Sequence, residues 1–213
     1  MAIVYAAELR PSKMELLADW LPLQDWFDGG DSPLVRLGSF RFDDPAGEVG
    51  IETQLVGAGN QVYQAPLTYR GAPLAGAEAF LIGTMEHSVL GRRWVYDATG
   101  DPVYVAELAA ALLIGKPQAA QFREADGKME TLPETAQISS TGASDVELPA
   151  LDLGTPLTAG GVTSIPVGPM TLALNRVLDT AATAGPGPVL AVSWAGGEQQ
   201  VLMASVGDVP APS

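Results

Sequence analysis

The spacing of apolar positions changes several times along the chain, and each change marks an element. The opening "AIVYAAEL" is continuously apolar and predicts a covered strand. Next, Ser12 is followed three residues later by Glu15, the pairing in which hydroxyl and carboxylate each satisfy a free N–H of a helix start. Leu16, Leu17, Trp20 and Leu21 then recur at helical spacing until Pro22 ends the run. Trp26 and Phe27 follow at once, and with Trp20 they are expected to pack this helix onto a sheet. Period-two alternation takes over in "PLVRLGSFRFDD", where Gly38-Ser39 suggests a bulge between Leu37 and Phe40. "GEVGIETQLVG" and "NQVYQAPLTYR" alternate likewise on either side of "GAGN", a hairpin signal, and Pro66 predicts that the second strand is an edge or bulged strand. "RRWVYDA" is a further short strand, with Trp94 and Tyr96 on one core-facing side.

A second helix is then well punctuated. Asp101 can accept from the free N–H groups of the first turn, and Pro102 at the first helical position loses nothing by lacking its own. Val103, Val105, Leu108, Ala109, Leu112 and Leu113 form an apolar face to lie against a sheet. Gly115 suits a left-handed cap, and Pro117 forbids continuation. Beyond Pro117 the helical signal stops. "AAQFREADGKMETL" reads as a hairpin turning at Asp126-Gly127, whereas 133–161 is rich in Ser, Thr, Gly and Pro and predicts weak strands at most. "PMTLALNRVLD", "PVLAVSWA" and "QQVLMASV" are strands, "TAATAGPGP" an exposed loop and "GDVPAPS" a frayed tail. The pattern predicts an α+β unit over 1–117 and a second, mostly antiparallel β unit over 118–213.

Composition agrees with many short strands: 24 glycines and 17 prolines stand among 213 residues, 47% of them hydrophobic. A net charge of −14 repels phosphate backbones, which argues against nucleic acid and anionic membranes as partners. With no cysteine, disulfides, thiolate metal sites and cysteine nucleophiles are excluded. The first residues lack a basic, apolar leader, and no stretch approaches the roughly 18 apolar residues of a membrane span, so a cytoplasmic protein is expected.

Candidate chemistry is sparse. The single histidine, His87, stands in "MEHSVLG" without a nucleophile elbow, and one histidine without cysteine cannot complete a zinc site. No Gly-x-x-x-x-Gly-Lys-Ser/Thr loop is present to cradle phosphates. The carboxylate pairs Asp43-Asp44, Asp19 with Asp25, and Asp97 with Asp101 read as turn and capping residues. Catalytic, cofactor-binding and metal-ligating residues are therefore expected to be none. Arg92 and Arg93, a basic pair in an acidic chain, are the candidates for contact with an anion or an acidic partner. One of them is expected to pair with Asp97 or Asp101 across the strand-to-helix corner.

The order of these parts resembles a known family. "LLADWLPLQDWF", "APLTYRGAPL", "LIGTMEHSVLGRRWVYDATGDP" and "VYVAELAAALLIG" together resemble the N-terminal cap domain of actinobacterial maltokinases and related aminosugar kinases, over roughly residues 3–116. They resemble still more the stand-alone cap-like proteins sometimes labelled as glucan-branching proteins. The resemblance implies a cystatin- or monellin-like cap, a helix held on a curved antiparallel sheet, followed by an intermediate β region. A kinase core would lie beyond the 213 residues, so no kinase active-site residue finds a counterpart here. The expected role is a non-catalytic, accessory or interaction module of trehalose, maltose or α-glucan metabolism, with a pathway enzyme or a second copy of the chain as partner. The alternative is a divergent sugar- or nucleotide-binding enzyme.

Overall fold

The computed structural model describes residues 2–3, 7–125, 128–143, 148, 152–179, 187–197 and 199–208. In chain order the elements are β1 (Ala2–Ile3), β2 (Leu9–Arg10), α1 (Lys13–Trp20), β3 (Val35–Asp43), β4 (Gly50–Ala58), β5 (Gln61–Arg70), β6 (Leu81–His87), β7 (Gly91–Asp97) and α2 (Pro102–Ile114). There follow β8 (Gln121–Ala125), β9 (Lys128–Thr131), β10 (Ala136–Ser140), β11 (Leu157–Ala159), β12 (Val162–Val167), β13 (Met170–Asn175), β14 (Val189–Trp194) and β15 (Val201–Asp208). The fold is α+β. Two six-stranded antiparallel sheets run in the orders β2-β6-β7-β5-β4-β3 and β10-β14-β15-β13-β12-β11, and a small third sheet, β1-β8-β9, holds the remaining strands.

Local chemistry accounts for the helices. Ser12 Oγ accepts from the Glu15 N–H at 3.3 Å while the Ser12 N–H donates to the Glu15 carboxylate at 2.7 Å, and α1 begins there. Pro22 lies in a single 3₁₀ turn, Leu21–Leu23, that closes it. Leu16, Leu17 and Leu21 pack on Val56, Ala65, Leu67, Met85 and Val95 of the first sheet, with Trp20, Trp26 and Phe27 at the margin. Asp101 accepts from the Val103 N–H at 3.0 Å, Pro102 opens α2, and Gly115 ends it at φ 67°.

The second helix departs from the expected single apolar face. Tyr104, Val105, Leu108, Ala109, Ala111 and Leu112 are all buried, because α2 lies between the two large sheets. Phe40, Phe42, Ile51 and Leu55 meet it from one side. Ile165, Leu172, Leu174, Leu190, Val192 and Met203 meet it from the other, and all belong to one cluster of buried side chains. A helix covered on both sides reads as apolar nearly all round.

Three strand expectations change. β5 is an interior strand and not an edge. The Gln64 N–H donates to the Arg176 carbonyl and β7 takes over only at Leu67, so position 66, on the same side by period two, falls in the gap between the two partners. "AIVYAAEL" is not one strand: 2–3 run parallel to β8, while 9–10 pair with β6. Within the stretch predicted as weak, β10 pairs over five residues with β14 and buries Ala136. The Asp126-Gly127 turn, residues 180–186 of the expected loop and the tail 209–213 lie outside the described residues.

Candidate functional site

The face of the first sheet that carries α1 divides into two halves. Towards the C-terminal end of the helix it is apolar. Towards the N-terminal end, alternation on β3 and β4 brings Ser39, Arg41 and Asp43 beside Gln54, Glu52 and Gly50, and a cleft of about 530 Å³ opens there. Lys13, Arg41 and Arg93 line it together with Tyr69, Met85 and Leu9.

Glu52 ties together two of the lining cations. Its carboxylate is buried and accepts from Lys13, from Arg41 at 3.1 Å and from Ser39 Oγ at 3.1 Å. Burial alone would raise its pKa, but the charges of Lys13 and Arg41 and the hydrogen bonds from Lys13 and Ser39 outweigh it and hold it at about 2. Lys13 is lowered by burial, against the pull of Glu52, and its ammonium stands 5.4 Å from the centre of the Tyr69 ring. Burial and the Glu52 charge push the Tyr69 phenol well above its ordinary range, so it stays protonated. Arg36 lies beside them, donating to Gln54 at 3.1 Å and to Ser39 at 2.8 Å.

The two candidate arginines part company. Arg93 faces the cleft, held by a 2.5 Å hydrogen bond to the Leu90 carbonyl. Arg92 points to solvent and pairs with Glu86 at 2.7 Å. Neither reaches the strand-to-helix corner, where more distant arginines take their place. Asp101 receives Arg70 through both carboxylate oxygens at 2.6 Å, and Asp97 receives Arg176 at 2.6 Å. Arg176 is 1% exposed, also reaches Thr99 and Thr163, and stands 5.4 Å from the Trp26 ring. Trp20 and Trp26 meet edge-on at 5.9 Å. Tyr96 is buried with its hydroxyl accepting from the Leu74 N–H, whereas Trp94 is half-buried.

His87 Nδ1 accepts from the Val89 and Leu90 N–H groups of the β6–β7 turn, and burial followed by the Arg93 charge lowers its pKa. Among the described residues, no group of three or more His, Cys, Asp or Glu is placed to hold a metal ion. Among the same residues, no helix is long and apolar enough to cross a membrane. Sequence reasoning reached Arg93 but missed Lys13, Arg41, Glu52 and Tyr69. The readable signal was the polar complement of the alternation, since Ser39, Arg41, Glu52 and Gln54 occupy the positions between the apolar ones.

Asp43, Asp44, Glu48 and His87 complete the lining, so cations and carboxylates face one another across an aromatic and apolar wall. Residues 20–101 match the maltokinase N-terminal cap domain, so the resemblance to that family is supported over that span. Among solved structures, a glucosamine kinase in complex with glucosamine, ADP and inorganic phosphate is similar at 18% identity with a TM-score of 0.47. The match covers 94% of this chain and 41% of that one. No curated protein matches the chain.

Proposed function

We propose that these 213 residues act as a non-catalytic cap-like module that works by binding a protein partner, an enzyme of trehalose, maltose or α-glucan metabolism. The observation that carries this reading is the cap-domain match over 20–101, in a chain whose residues include no phosphate loop and a single histidine. Phosphoryl transfer depends on positioned magnesium and on cations around the moving group, and the sequence supplies no motif for either. His87 is engaged in holding a turn, and Asp97 and Asp101 are both bound by arginines.

The β6–β7 turn is the contact this reading assigns to a partner, because it presents Val89 and Leu90 to solvent at 55% and 43% exposure. A cytoplasmic location belongs to the same reading. Co-purification of the chain from its native cell, followed by identification of what is retained, tests it. A sugar kinase or α-glucan enzyme retained in stoichiometric amount is the expected result. A chain that elutes only by itself or as its own dimer contradicts it.

A further inference from the structure

We propose that the groove between Trp26 and the β11–β12 turn docks a segment of the partner protein that carries a lysine or arginine beside an apolar side chain. This rests on the partner-binding reading and adds to it a second surface and the chemistry that fits it. The groove holds about 290 Å³ and takes a wall from each part of the chain. Asp25 and Trp26 form one wall, and the turn over 158–161 forms the other. Both walls are set in advance, which favours binding. The Arg176 N–H holds the turn through the Gly161 carbonyl at 2.7 Å. The Arg176 guanidinium stands 5.4 Å from the Trp26 ring, against which Trp20 and Tyr63 also pack.

The margins of the groove are apolar and uncovered. Leu23, two residues before Asp25, is 77% exposed, and Leu157, next to Thr158, is 71% exposed. No other large apolar side chain among the described residues is as open. Single apolar residues are ordinary on a surface, but two beside opposite walls of one groove mark a contact. Charge decides what covers them. Asp25 is the one charged side chain in the lining, and its carboxylate has no hydrogen bond or ion pair among the described residues. From Met14 to Val35 the chain contains no lysine or arginine, whereas Asp19, Asp28 and Asp31 are exposed with carboxylates likewise unpaired among those residues. A second copy, at net charge −14, would bring the same carboxylates to the contact, so the occupant is a cationic segment and not this chain itself. The volume admits a side chain and its neighbours and excludes a folded element.

The test is selection of short peptides from a displayed random library on the immobilised full chain, followed by titration of the synthetic winner against purified variants. Enrichment of peptides that place lysine or arginine beside an apolar residue is expected, with affinity falling as salt is raised. Asp25→Lys should abolish measurable binding, because it sets like charges together. Leu23→Ser and Leu157→Ser should each weaken binding by about fivefold or more, the share of a partly buried leucine, while Val89→Ser leaves it unchanged. All four positions are exposed, so these variants fold. A peptide indifferent to the three groove substitutions and weakened by Val89→Ser overturns this groove and leaves partner binding standing at the β6–β7 turn; failure of partner binding itself shows separately, in co-purification. Enrichment of neutral or acidic peptides, or a dimer of the chain that Leu23→Ser abolishes, overturns the proposal as well.

Discussion

Asp101 carries two duties on one carboxylate. It caps α2 through the Val103 N–H and accepts from Arg70 Nε and Nη2 while wholly buried. Loss of the cap alone would cost about 1 kcal/mol. Asp101→Ala also leaves the half-buried Arg70 without its partner, so the total loss in urea unfolding should exceed that of the cap, at roughly 2–3 kcal/mol. A loss near the cap value would show that Arg70 finds water once released. Glu52 gives a pH dependence with a definite sign. Its folded-state pKa of about 2 lies below its ordinary 4.5, so the stabilisation is complete above pH 4.5 and fades as pH falls through that window. The difference amounts to about 3 kcal/mol. Acid unfolding between pH 4.5 and 2 should be flatter in Glu52→Gln than in the parent; parallel curves would contradict the clamp. The caps at Ser12, Asp101 and Gly115 were legible in the sequence because every group involved lies within a few residues. The partners of Asp97 and Asp101 were not, since Arg176 lies 79 residues from Asp97 and Arg70 31 from Asp101. Proximity in sequence favours Arg92 and Arg93, but strand direction carries Arg92 outward and Arg93 into the cleft.

At the scale of elements, α2 is the piece on which both large sheets depend. Its one internal carboxylate, Glu107, is buried and bound by Lys116, while the rest of its surface is apolar. Leu108 is fully buried in the middle of this helix. Leu108→Ala should cost about 3 kcal/mol, and it should lower amide protection at Leu55 and Val192 together, since both side chains share its cluster. Loss confined to one sheet would mean that the helix belongs to that sheet alone. Period-two alternation disclosed β3, β4 and β5, whose turn and pattern are local. It failed for β10, because "AQISS" becomes a strand by pairing with β14, more than fifty residues away along the chain.

Taken whole, the molecule has a cap-type sheet on one side of α2 and a β sheet on the other. Buried connections cross between them: Arg176 to Asp97, and the Gln64 side-chain amide to the carbonyls of Asn175 and Met203. Residues from both expected units, 1–117 and 118–213, therefore lie in one cluster of buried side chains. The central claim is that this chain works by binding and not by catalysis. Its most direct test is incubation of the purified chain with magnesium-ATP and a panel of maltose, trehalose and glucosamine, with sugar phosphate followed by mass. The account predicts no product above a protein-free blank. Product that forms in the parent and vanishes in His87→Ala or Asp97→Asn, with the fold intact, would contradict it.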